Sequence, residues 1–113
     1  MLNQVMLVGR LVEKPEVKVL ESGKKVSNIT VAVQRAYKNA EGIYDTDFID
    51  CVLWEGIATN TAEYCNKGDI VGVKGRLETS TYETEDGTKK KTTTINVERL
   101  TFLSSSKASE EDE

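Results

Sequence analysis

The chain has 113 residues, 38% apolar and 30% charged, the balance of a globular chain with room for one domain and one core. Its net charge of −4 argues at first against a polyanionic partner. Yet Glu110, Glu111, Asp112 and Glu113 are all acidic, and residues 1–106 hold 14 Lys or Arg against 15 Asp or Glu. A near-neutral body binds phosphate when its cations gather on one side. Histidine is absent, which removes the commonest general base and nitrogen metal ligand. Two cysteines make neither a disulfide framework nor a zinc site, so no metal and no cofactor is expected. The apolar start, MLNQVMLVG, is too short to cross a membrane and lacks the basic flank of a signal peptide, so the cytoplasm is the expected compartment.

Residues 3–12, NQVMLVGRLV, read as a strand in which Gly9 marks a bend or bulge. Pro15 sits in a connector, residues 17–20 form a short strand, and ESGKK turns the chain. Residues 26–37 are a β-rich run with Ile29, Val31 and Val33 on one side. Strict alternation puts Arg35 and Tyr37 on that side too. For Tyr37 to face a ligand, the strand must bulge or coil near its end. Residues 38–45 are polar and turn-rich, hence a loop. In the 46–54 strand, Ile49, Cys51 and Leu53 share one side and Phe48, Val52 and Trp54 the other. A strand apolar on both sides needs two covers.

Residues 56–68, GIATNTAEYCNKG, fit a short helix, with Ile57, Ala58, Thr61, Ala62 and Cys65 at helical spacing and Gly68 as its stop. Residues 69–80 are a strand with Val71, Val73 and Leu77 inward, and Gly72 and Gly75 permit tight curvature. Asp86-Gly87 is a hairpin turn, and KKKTTTINVERLTFL returns as the last strand. SSSKASEEDE, residues 104–113, reads as a disordered acidic tail after a domain of residues 1–103. About five main strands with one short helix between the third and fourth describe an all-β fold, a five-stranded OB-fold Greek-key barrel.

Aromatic platforms beside cations are what sequence-independent binding of a single-stranded nucleic acid requires. Tyr37, Phe48, Trp54 and Tyr82 are the candidate platforms. Tyr82 lies on one arm of the 77–95 hairpin, and Lys89, Lys90 and Lys91 lie on the other. Further phosphate candidates are Arg10, Lys18, Lys24, Lys25, Arg35, Lys38, Lys74 and Arg76. Each feature also has a plainer reading. Phe48 and Trp54 can face a subunit or packed helix, Tyr37 can be a half-buried strand-end tyrosine, and the lysine run can be a solvated loop that protects an edge. The cysteines read as small buried hydrophobes. Asp45, Asp47 and Asp50 lack the histidine or tight ligand pattern of a catalytic cluster.

In order, NQVMLVGRL, PEVKVLESGKKVSNITVAV, TDFIDCVLW, AEYCNKGD, VGVKGRLETSTYETEDG and the TTT-containing last strand resemble the bacterial single-stranded DNA-binding proteins of the homotetrameric OB-fold type, over about Asn3 to Leu103. The resemblance implies largely sequence-independent binding of single-stranded DNA in replication, recombination, repair or DNA uptake, in the nucleoid-associated cytoplasm and without catalysis. It places the stacking positions on Tyr37, Phe48, Trp54 and Tyr82, and phosphate contacts on Lys18, Arg35 and Arg76. It implies a dimer-of-dimers homotetramer in which the N-terminal strand pairs with its mate. The family's replicative members end in an acidic tip with a hydrophobic Ile-Pro-Phe terminus. The ten-residue tail here lacks that anchor, as in short-tailed members or a truncated chain, so recruitment of partner enzymes through it is not expected. The alternative reading is an OB-fold protein-interaction module, a primosome or recombination accessory subunit that buries the 48/52/54 face against a partner chain.

Overall fold

The structure, a computed structural model, describes residues 1–105. Six strands and one helix follow in the order β1 (Val5–Leu11), β2 (Lys18–Val19), β3 (Lys25–Lys38), β4 (Tyr44–Trp54), α1 (Glu55–Tyr64), β5 (Ile70–Glu83) and β6 (Lys89–Ser104). Spatially the strands run β1-β5-β6-β4-β3-β2. The sheet closes because β1 also pairs with β3, through Arg10–Ala32 and Leu11–Val31. All neighbours are antiparallel except β4 and β6, which meet in parallel at Cys51–Ile95 and Val52–Asn96. Setting aside the two-residue β2, this is the OB-type barrel expected, with its helix between the third and fourth main strands. Ser104 ends β6, and the tail assigned from the sequence lies, from residue 106 on, outside the described residues.

The core is what period-2 alternation demands. Leu11, Ile29, Val31, Cys51, Leu53, Val71, Val73, Ile95 and Val97 point inward, and Ala58 and Cys65 cover one end of the barrel from α1 and its C-cap. Both cysteines are free and buried. Burial, with a smaller contribution from Asp50, pushes the Cys51 thiol up to about 11. Burial raises Cys65 as well. A thiolate-specific reagent at pH 8 should therefore modify neither in the native protein and both after denaturation, a contrast that absorbance at two denaturant concentrations would reveal.

Leu77, expected inward, is instead exposed. The pairing of β1 with β5 ends at Val5–Gly75, so Leu77 has no β1 neighbour to cover it, although Ile95 opposite it is still buried. The helix stops at Tyr64, and Gly68 is not its cap but a turn residue (φ 86°) whose N–H donates to the Leu11 carbonyl. The helix end is satisfied by Lys14, whose Nζ donates to the Ala62 and Cys65 carbonyls at 3.2 Å. A cation there also complements the helix dipole.

Leu20–Lys24, Asn39–Ile43 and Thr84–Thr88 close in the same way. The first N–H donates to the fifth carbonyl, and a glycine in fourth place (Gly23, Gly42, Gly87) donates back to the first. Each glycine has φ between 81° and 86°, the left-handed step that ends this type of hairpin loop. The loop expected over residues 38–45 thus shrinks to 39–43, and Lys38 and Tyr44 become strand partners.

Gly9 makes no bulge in its pairing with β5. It is needed for close approach, since a Cβ there would overlap the Ala32 carbonyl of β3. A Cβ on Gly75 would likewise strike the Asn96 carbonyl, beside a register shift at Lys74/Gly75. Gly75→Ala should cost about 1–3 kcal/mol, since backbone must move to admit the methyl group. The midpoint of thermal unfolding measures it.

Candidate nucleic-acid interface

Residues directly opposite in an antiparallel pair share a face of the sheet. On β4 the even-numbered residues from Tyr44 to Trp54 point out of the barrel, because Cys51 and Leu53 between them are buried. Phe48 is 67% exposed and Trp54 36%. They are six residues apart, about 20 Å along the strand. Between them lies a cleft of about 260 Å³ lined by Asn28, Thr30, Asp50, Val52 and Thr94, among others.

Each of these rings has a cation in its own row across the sheet. Trp54 pairs with Val26, and Val26 with Lys18 on β2. Phe48 pairs with Ala32, and Ala32 with Arg10 on β1. Each cation is two strands from its ring, about 10 Å between backbones. Val26 is 7% exposed despite its outward register, since it lies between Trp54 and Lys18. Arg10 donates one N–H to the Gly68 carbonyl at 3.0 Å, which leaves the rest of its guanidinium fork available.

The same face continues onto the projecting hairpin. Val52 is in register with Asn96, and Asn96 with Arg76. Alternation from Arg76 leads through Glu78 and Ser80 to Tyr82, which is 49% exposed and directly opposite Lys90. Lys89 and Lys91 stand opposite Glu83 and Thr81, on the other face of the hairpin. The lysine run is thus divided, and only Lys90 shares Tyr82's side. Lys74 alternates onto Arg76's side but stands in the row of Met6 and Arg99, on another sector of the barrel.

Not every candidate joins this face. Between Gln34–Thr46 and Lys38–Tyr44 the register shifts, so Arg35, Ala36 and Tyr37 stand against Asp45 alone. The bulge that Tyr37 requires is therefore present, and Tyr37 is 64% exposed within it. Arg35 turns toward the odd-numbered side of β4. Its Nε donates to Asp47 at 3.1 and 3.3 Å and its Nη2 at 2.9 Å, while Nη1 lies 3.9 Å from Asp45. Those hydrogen bonds hold the Asp47 carboxyl below its ordinary range. Asp47 and Arg35 therefore form a surface ion pair, both side chains well exposed. Arg76 is engaged by Glu78 at 2.9 Å. Glu78 is lowered by a hydrogen bond from Asn96 and then by Arg76. Asp50 accepts from Thr30, and among the described residues no group of three or more His, Cys, Asp or Glu forms a metal site.

One aromatic of the Val26–Trp54 stretch is not among the candidate platforms. Tyr44 lies on the face of Phe48 and Trp54, with Lys38 opposite and its Nζ 5.6 Å from the ring centroid. The signal was the even-numbered alternation of β4, hidden because the segment before Thr46 reads as loop.

A closed barrel of five main strands with its helix between the third and fourth is of the OB class, whose members bind oligonucleotides and oligosaccharides. Residues 2–103 match the single-strand binding protein family. Over 103 residues the chain is 44% identical to single-stranded DNA-binding protein B of Bacillus subtilis (strain 168), covering 91% of each chain. It is 43% identical to the single-stranded DNA-binding protein of Bacillus cereus, over 91% of this chain but 61% of that one. It is 42% identical to single-stranded DNA-binding protein A of Bacillus subtilis (strain 168), of which it spans 60%. The chain belongs to the single-strand binding protein family.

Proposed function

We propose that this protein binds and protects single-stranded DNA without reading its sequence, in replication, recombination, repair or DNA uptake. It does so by binding alone, with no chemical step. The observation that carries this reading is the set of rows in which a ring and a cation share one outer face: Phe48 with Arg10, Trp54 with Lys18, and Tyr82 with Lys90. Bases are flat and apolar, and the phosphates between them are anionic, so such a row matches one nucleotide's two demands. Stacking contributes roughly 1–3 kcal/mol per base whatever the base. Tyr37 adds a further exposed ring beyond Phe48, at the β3 bulge.

Trp54 is the only tryptophan, so its fluorescence reports the site directly. Titration with oligo(dT) should quench it, with an affinity that falls as salt rises. Unchanged emission together with no mobility shift at low salt would overturn the proposal. The divided lysine run supplies a finer test. Lys90→Ala should weaken binding and lower the slope of log K against log salt by about 0.7, the share of one phosphate contact on a single strand. Lys89→Ala, Lys91→Ala and the ion-paired Arg35→Ala should each change it less, as fluorescence titrations over a salt series would show.

The working unit in this proposal is a homotetramer, a dimer of dimers. β1 supports it. Along Val5–Val8 it pairs with β5 on one edge only, because its contact with β3 begins at Arg10. Met6 and Val8 are exposed beside that open edge. An open apolar strand edge is the usual place for a second chain to add.

A further inference from the structure

The outer face holds one ring-and-cation row more than the proposed function uses. Tyr44 begins β4, the residue is 44% exposed, and Lys38 stands directly opposite with Nζ 5.6 Å from the ring centroid. That distance is within cation–π range. We propose that Tyr44 is an additional base-stacking platform and Lys38 its phosphate contact. Together they extend the single-stranded DNA path along β4 past Phe48. This inference rests on the binding proposal above and adds a contact to it.

Tyr44 and Phe48 are both even-numbered on one unbroken strand, so they share a face, about 14 Å apart. The arrangement at Tyr44 repeats that at Phe48 and Trp54, where a ring on β4 has a cation across the sheet, but here the two are adjacent rather than separated by a strand. The ground between the two rings is also open. A cleft of about 440 Å³ includes Gln34 and Thr46, the pair lying between the rows of Phe48 and Tyr44, and extends past Arg10 to Val8 at the β1 edge given above to the subunit interface. An extended chain leaving Phe48 meets a depression there. Tyr44 lies outside the hydrophobic core, so its ring is not committed to holding the barrel together.

The competing arrangement is that Lys38 and Tyr44 merely cover one another at the end of a hairpin. An aliphatic side chain would then serve as well as the ring, because only apolar surface is needed. Stacking needs the π-face. The test compares Tyr44→Phe, Tyr44→Leu and Phe48→Ala with the unmodified protein, on oligo(dT) of roughly 35 nucleotides, a length spanning several OB folds, with thermal melts to verify folding. Tyr44→Phe should bind within about twofold of the parent, and Tyr44→Leu about 5- to 150-fold more weakly, the factor one stacked base supplies. Photocross-linking of a bromodeoxyuridine-substituted strand should attach at Tyr44, located by peptide fragmentation. If Tyr44→Leu binds like the parent and no cross-link forms at Tyr44, while Phe48→Ala still weakens binding, Tyr44 is only a covered strand end and the inference fails alone. If Phe48→Ala is without effect as well, the stacking proposal itself falls.

Discussion

Phe48→Ala should weaken oligo(dT) binding by about 1–3 kcal/mol, up to some 150-fold, while leaving the unfolding midpoint nearly unchanged. Phe48 is 67% exposed, so its removal creates no cavity. Trp54→Ala should lose binding by a similar amount, but it should also lose stability. Trp54 is 36% exposed, it stands over Val26 in the pairing register, and it is the N-cap residue of α1. Truncation would bare Val26, which is otherwise buried. The two variants therefore separate what the tryptophan fluorescence change alone does not. Fluorescence anisotropy of labelled oligo(dT) gives the affinities, and circular dichroism melts give the stabilities. A Phe48→Ala protein that unfolds early and binds normally would show that the face is covered by protein rather than by bases.

The second large effect is expected from β1. Met6→Glu combined with Val8→Glu should break the proposed homotetramer at this interface, seen in native mass spectrometry or light scattering as a fall from four times the single-chain mass of 12.5 kDa. Both side chains are exposed in the isolated chain, so carboxylates there are solvated and the fold should survive. In an interface the carboxylate at position 8, opposite Gly72, would be buried with no cation across the strand, which costs several kcal/mol, whereas the one at position 6 would have Lys74 opposite it. Loss of assembly should carry an affinity penalty on long oligo(dT) of about 10²-fold or more, because linked binding faces gain from effective concentration. Short oligonucleotides that occupy one barrel should bind almost as before. A double variant that keeps its mass would remove β1 from the interface.

Much of the architecture is legible residue by residue. Alternation through Phe48–Trp54 separates Cys51 and Leu53 from Phe48, Val52 and Trp54 without any knowledge of partners, because a strand's side-chain period is fixed by its backbone. The three glycine-ended turns are legible for a similar reason, since only glycine readily takes their left-handed step. Leu77 has inward parity but is exposed, because parity says nothing of how far the neighbouring strand β1 reaches.

The site divides in the same way. The residue types of the proposed stacking surface, Phe48, Trp54, Tyr82 and nearby cations, stand in the chain as written, because period and composition are local properties. Which cation shares a row with which ring is not local. Lys18 and Arg10 reach the rows of Trp54 and Phe48 only through Val26 and Ala32, when three strands pair in one register. Lys90 is separated from Lys89 and Lys91 by the pairing of β5 with β6. Arg35 shares the side of Asp47 because Val33 pairs with Asp47, a partner that no single-strand pattern names, and Tyr44 joins the face because the hairpin loop is shorter than its polar composition implies. The sequence by itself determined a small barrel with aromatic platforms and cations to spare. The tertiary structure decided which of them meet, since register and closure are set by the packing of the whole sheet.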